Sequence, residues 1–162
     1  MSIKILGSMI EICFLRYSEY LYISGSSAGA HLAAMCCLEN SKEKDQSLVK
    51  LAGVVLVSGI YDLEPLIPTT INNSIGMDKN SAMAASPLFK NLSDFPNTII
   101  TWGENETIEF KEQSIIFSEA LTNNGINVQT IEIRNRNHFD IILDLGKDDE
   151  DLGKKVIKMI KD

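Results

Sequence analysis

The chain has 162 residues, of which 44% are hydrophobic and 23% are charged, and these values are typical of one folded globular domain. Its 15 Lys and Arg against 22 Asp and Glu give a net charge of −7, the opposite of the basic surface that binds nucleic acid. No apolar run approaches the roughly 18 residues of a membrane-spanning helix. The acidic charge and the lack of such a run exclude nucleic acids and membranes as partners.

The three cysteines, Cys13, Cys36 and Cys37, form neither a disulfide framework nor a metal-binding spacing. This pattern predicts a reducing, intracellular compartment and no metal site. The apolar N-terminus is interrupted by Glu11, and no small-residue cleavage site follows it. We therefore interpret it as mature sequence and not as a signal peptide.

The first half of the chain alternates between predicted helices and strands. Apolar residues recur at steps of three and four over residues 3–17, which predicts an amphipathic helix. The apolar run 20–23 predicts a strand, and residues 28–38 predict a helix rich in Ala, Leu and Met. The continuous apolar run 51–59 is typical of a strand that is buried on both faces.

The second half continues this alternation after an irregular segment. All four prolines fall in residues 61–97, which predicts a lid-like excursion with short helical turns. A strand is predicted at 98–102, followed by a helix at 109–121 that is ended by Asn124-Gly125. A further strand is predicted at 128–133, and a last helix has the acidic run 148–151 at its N-terminal end. Residues 1–162 therefore form one α/β domain with a mostly parallel sheet of about four strands, flanked by helices.

One motif carries chemistry. Residues 25–29 read G-x-S-x-G and lie between the first predicted strand and its helix. In this context the glycines permit a sharp turn, the nucleophile elbow, which holds the central serine at the edge of the sheet. Ser27 is the candidate nucleophile, and the backbone N–H of Ala28 is the candidate oxyanion donor. The alternative is a glycine-rich turn without chemistry.

A serine hydroxyl needs a general base, which is most often histidine, and the chain has two histidines. His31 lies four residues after Ser27 on the predicted helix, where its side chain is better placed for packing. His138 follows the last predicted strand, in the loop where folds of this type place the base. His138 is therefore the candidate base, and the alternative is a histidine in a surface loop.

The third member of such a site is a carboxylate that orients the imidazole and lies between serine and histidine in the chain. Glu104 and Glu106 follow the third predicted strand, and Asp62 follows the second. Glu106 is our choice, but the residues by themselves leave all three open.

Three segments resemble the kynurenine formamidase (arylformamidase) family of α/β-hydrolases: SAGAHLA at 27–33, VSGIYDLEPL at 57–66 and HFDII at 138–142. The resemblance covers nearly the whole chain. It implies hydrolysis of N-formyl-L-kynurenine to L-kynurenine and formate in tryptophan breakdown, by a cytosolic enzyme without a cofactor. It matches Ser27 to the nucleophile, His138 to the base and Glu106 to the acid, which in the family is usually an aspartate.

The family's upstream His-Gly-Gly loop, which supplies a second oxyanion donor, does not occur in this sequence. Met1 aligns with the helix before the elbow strand, so we interpret the chain as an N-terminally truncated fold with an unpaired apolar edge beside that strand. The alternatives to the formamidase are a small-ester carboxylesterase and an inactive short isoform that binds a partner. A homodimer, and a nuclear as well as cytosolic location, also stay open.

Overall fold

The computed structural model describes residues 3–5, 12–17, 20–40 and 50–161 and has a sheet of six strands in chain order. The strands are β1 (Ile3–Ile5), β2 (Ile12–Tyr17), β3 (Tyr20–Ser26), β4 (Lys50–Val57), β5 (Asn97–Gly103) and β6 (Val128–Ile133). β1, β2 and β3 pair antiparallel, whereas β3 to β6 are parallel. The predicted fold, with four parallel strands and flanking helices, is confirmed.

Helices connect the parallel strands, and a last helix follows β6. They are α1 (Ala28–Asn40), α2 (Asn72–Ile75), α3 (Lys79–Ala85), α4 (Ile108–Asn123) and α5 (Asp151–Lys161). α2 and α3 lie in the excursion between β4 and β5, together with two 3-10 turns, so this segment does contain short helices. Its role as a lid stays a prediction.

The prediction of an amphipathic helix over residues 3–17 is wrong, because Ile3–Ile5 and Ile12–Tyr17 are strands. These strands are rich in Ile, Phe and Tyr, which favour extended backbone, and pairing with β3 outweighs the helical spacing of their apolar residues. Leu6, Ile10 and Glu11 lie outside the described residues.

The expected unpaired edge beside the elbow strand is also wrong. β2 pairs with β3 from Ile12 opposite Gly25 to Tyr17 opposite Tyr20, and β4 pairs with the other side of β3. The strand that leads to Ser27 is therefore an interior strand, which fixes the position of the turn that follows it.

The core lies on both faces of the central strands. Val54 and Leu56 of β4 pack with residues of α1 and α4, whereas Val55 and Val57 face Leu152 of α5. Successive side chains of a strand point to opposite faces, so a strand covered on both sides is apolar throughout. Burying each such side chain contributes about 1.5–3 kcal/mol.

The next features are the cysteines of α1 and the length of the helices. Cys36 and Cys37 of α1 are free thiols, and burial raises the pKa of both. The side chain of Cys13 lies outside the described part of the chain. Among the residues that the structure describes, no helix has the length and apolar character needed to cross a membrane.

Candidate active site

The candidate residues meet at the carboxyl ends of the parallel strands. Ser27 directly follows β3, Ser58 directly follows β4, Glu106 lies just after β5, and His138 lies in the loop after β6. Neighbouring parallel strands end at the same edge of a sheet, and α/β folds bind their ligands at that edge. The sheet thus gathers residues that are far apart in sequence.

The turn between β3 and α1 holds Ser27 in a left-handed conformation with φ of 54°. The N–H of Ser27 donates to the carbonyl of Val57 at 2.9 Å, and the carbonyl of Ser27 accepts from the first turn of α1. A Cβ atom on Gly25 would lie 2.1 Å from the carbonyl oxygen of Gly29. Only a glycine fits where the strand and helix cross, so the elbow depends on Gly25.

His138 joins the candidate nucleophile to a carboxylate. Its Nε2 lies 3.0 Å from the Oγ of Ser27, and its Nδ1 lies 3.0 Å from the Oε2 of Glu106. Both distances are within hydrogen-bond reach. The imidazole ring packs against Phe110 with centroids 4.2 Å apart, and Phe139 meets it edge-on at 5.5 Å.

The side chain of Glu106 is fully buried, and its two carboxylate oxygens have different partners. Oε1 accepts from the Ser58 hydroxyl at 2.5 Å and from the Gly103 N–H at 2.7 Å, which leaves Oε2 to His138. Burial alone would raise the pKa of Glu106, but the hydrogen bonds from His138, Ser58 and Gly103 together lower it below its ordinary value. Glu106 is therefore an anion at neutral pH.

The other candidate residues lie elsewhere. Glu104 accepts from the N–H of Asn135 at 2.9 Å, and Asp62 accepts from the N–H of Glu64 at 2.9 Å. Of the three carboxylates, the structure brings Glu106 to His138. The Nε2 of His31 lies 2.9 Å from the carbonyl oxygen of Ala85, so this histidine holds the end of α3 against α1.

The backbone N–H of Ala28, the candidate oxyanion donor, lies beside Ser27. Ala28 is the first residue of α1 and is exposed. The first N–H groups of a helix have no partner within the helix, so this donor is open to a ligand.

Sequence reasoning did not identify several residues that support the site. Ser58 holds Glu106, and Gln113 of α4 binds the backbone of Tyr61 and Asp62 through three hydrogen bonds. Arg136 and Asp144 close the loop that carries His138. The position of Ser58 directly after a parallel strand was a usable signal, whereas Gln113, Arg136 and Asp144 gave none.

The arrangement has the components of acyl transfer by a serine. A hydroxyl, an imidazole and a carboxylate follow one another at hydrogen-bond distances, with a backbone N–H beside the hydroxyl. Within the described ranges, no group of three or more His, Cys, Asp or Glu side chains could hold a metal ion.

Comparisons with known proteins agree with the α/β fold. Residues 16–141 match the family model of the alpha/beta hydrolase fold. The chain is similar to kynurenine formamidase of Danio rerio, with 36% identity over 145 residues, 86% of this chain and 49% of that protein. Kynurenine formamidase of Salmo salar is 34% identical over 146 residues, again 86% of this chain and 49% of the relative.

A similar solved structure is that of a candidate thioesterase from Silicibacter sp. TM1040. It has a TM-score of 0.71 and 25% sequence identity, over 86% of this chain and 49% of that chain. The chain described here spans about half the length of the curated relatives that it matches.

Proposed function

The chain belongs to the alpha/beta hydrolase fold family, and from this we propose that it is a serine hydrolase that converts N-formyl-L-kynurenine to L-kynurenine and formate. The hydrogen-bonded series Ser27, His138 and Glu106 supports the reaction type. The relatives named kynurenine formamidase support the substrate. We further propose that the reaction takes place in the cytosol as a step of tryptophan breakdown.

In the first half of the reaction, the Ser27 hydroxyl attacks the formyl carbon while the Nε2 of His138 takes its proton. Glu106 holds the imidazole in the tautomer with Nδ1 protonated and stabilises the imidazolium that forms. The negative charge on the former carbonyl oxygen is stabilised by the N–H of Ala28. His138 then gives its proton to the departing arylamine, and a formyl ester of Ser27 remains.

In the second half, water replaces the arylamine. His138 takes a proton from the water, the hydroxide attacks the formyl ester, and the ester bond to Ser27 breaks. His138 returns the proton to the Ser27 oxygen, and formate leaves. In sum, one amide bond and one water are consumed, and L-kynurenine, formate and one proton are released.

The aromatic side chains around His138 suit an aryl substrate. Phe139 is 85% exposed and stands edge-on to the imidazole. A benzene ring attached to the leaving nitrogen can pack against the exposed Phe139. An aromatic pair of this kind contributes about 0.5–1.5 kcal/mol. The exposed ring of Phe139 beside the base therefore supports a substrate with an aromatic leaving group.

The test uses the purified chain, N-formyl-L-kynurenine and the absorbance of released kynurenine. We expect turnover, and we expect Ser27→Ala to lower kcat at least about 10³-fold because it removes the nucleophile. Ser93→Ala is the matched control, since Ser93 is exposed and its hydroxyl contacts its neighbour Asp94. We expect this control to keep the activity of the parent chain.

The same preparations distinguish the alternatives. If folded parent chain releases no more kynurenine than Ser27→Ala does, the proposal is wrong for this chain. Faster hydrolysis of short aryl esters than of arylformamides would indicate a carboxylesterase. Failure of a fluorophosphonate to label folded Ser27 would favour an inactive binding protein.

A further inference from the structure

Ser58 occupies an unusual position for a serine. It directly follows β4, is fully buried, and has a left-handed backbone with φ of 49°. Its N–H donates to the carbonyl of Thr101 at 2.8 Å. Glycine adopts this conformation without strain, whereas serine does not. The side chain must therefore contribute something that offsets the strain.

The hydroxyl of Ser58 donates to Oε1 of Glu106 at 2.5 Å. The other donor to this oxygen is the N–H of Gly103 at 2.7 Å, and together they hold Oε1 from two directions. A glutamate has one more rotatable bond than an aspartate, so its carboxylate plane is harder to hold. Two donors on Oε1 orient that plane, and Oε2 is then directed at Nδ1 of His138.

We propose, on the basis of the proposed function, that Ser58 is a positioning residue for the reaction. It acts through Glu106, whose carboxylate it orients toward His138, and it does not contact the substrate. Without the Ser58 hydroxyl, the buried carboxylate keeps only the Gly103 N–H on Oε1, and its plane is held less firmly. His138 would then less often present Nε2 to Ser27 in the geometry for proton transfer.

Two variants remove the hydroxyl in different ways. Ser58→Ala keeps a Cβ atom, and Ser58→Gly also relieves the strained backbone, so a change in backbone strain cannot explain an effect that both variants share. We expect both to lower kcat about 10-fold to 100-fold, the usual effect of one hydrogen bond to a charged group, with KM changed less than about twofold. The control is Ser114→Ala, because Ser114 is equally buried and its hydroxyl has no partner among the described residues.

A double-mutant cycle tests whether Ser58 acts through Glu106. In the Glu106→Ala background, Ser58→Ala should cause no further loss of kcat, because the group that it positions is absent. Full loss in both backgrounds would mean that Ser58 supports the fold in general, and the inference would be overturned.

A measurement without turnover separates this inference from the proposed function. The NMR signal of the His138 Nδ1 proton, assigned by its absence in His138→Gln, reports the bond to Glu106 directly. We expect Ser58→Ala and Ser58→Gly to shift this signal and Ser114→Ala to leave it in place. An unchanged signal overturns the inference. A chain that lacks formamidase activity but shows the shift contradicts the proposed function alone.

Discussion

At the scale of single residues, backbone strain is concentrated at the site. The non-glycine residues with positive φ among the described ranges are Ser27, Ser58 and Asn135. Ser27 is the candidate nucleophile, Ser58 binds the candidate acid, and Asn135 lies in the loop that carries His138. Such conformations cost about 1–3 kcal/mol each and persist where the surrounding structure enforces them. Their common location supports a catalytic function for this edge of the sheet.

The turn that carries Ser27 requires a glycine at position 25. We expect Gly25→Ala to lower the free energy of unfolding by about 3 kcal/mol and to abolish activity, because the added methyl group would collide with the backbone of α1. Urea unfolding and kynurenine release measure the two effects. Gly146→Ala is the matched control, since a Cβ atom there meets open space. Equal stability of the two variants would contradict the role assigned to Gly25.

At the scale of elements, an ion pair between residues on either side of His138 closes the loop that follows β6. Arg136 binds Asp144 through Nε at 2.5 Å and Nη2 at 3.0 Å, and the Asp144 side chain is only 1% exposed. Lys147 also contacts Asp144 at 3.0 Å, and Arg136 reaches Glu150 just before α5. The base is thus carried on a loop with its ends tied together and joined to the last helix.

Loosening this loop should reduce both stability and activity. We expect Asp144→Asn to lower the melting temperature by about 5 °C and kcat severalfold, because the neutral amide removes the buried charge that pairs with both Arg136 and Lys147. Calorimetry and steady-state kinetics give the two values. Glu64→Gln makes the same change in an exposed ion pair with Lys79, and we expect almost no effect there. A similar loss in both variants would show that the loop does not depend on this pair.

At the scale of the whole molecule, one sheet edge brings together parts of the chain that are up to 111 positions apart. Two buried carboxylates lie within this arrangement, Glu106 at the site and Asp144 in the loop. Burial alone would raise the pKa of Asp144, but Arg136 and Lys147 lower it below its ordinary value, as hydrogen bonds do for Glu106. Both groups therefore favour the folded state when they are ionised.

The lowered pKa values of these two carboxyl groups predict a loss of stability in acid. A carboxyl with a lowered pKa in the folded state stabilises the fold above its ordinary pKa, here 4.5 for Glu106 and 3.8 for Asp144. The stabilisation is lost as the pH falls from these values through the lower pKa of the folded state. Urea midpoints measured from pH 7 to pH 3 should thus decline below about pH 5. Glu106→Gln and Asp144→Asn should each flatten the decline, and an unchanged slope in both would contradict this account.

Local patterns in the sequence correctly predicted the parallel part of the fold. The apolar runs at β3 and β4, the alternation at β6 and the helical patterns of α1, α4 and α5 are signals that neighbouring residues produce together. The N-terminal segment failed because its spacing fits a helix, while its pairing partner β3 decides the outcome. Pairing is a contact with another segment, which periodicity does not detect.

The sequence by itself determined that Ser27 lies in a nucleophile elbow and that His138 is the candidate base, because a short motif and the chain order carry that information. The sequence favoured Glu106 over Glu104 and Asp62, but only the tertiary structure shows which of the three carboxylates contacts His138, and only it identified Ser58. These choices depend on where side chains from separate loops point once the sheet has formed. The orientation of one side chain toward another in a distant segment arises from packing, so no local pattern of residues records it.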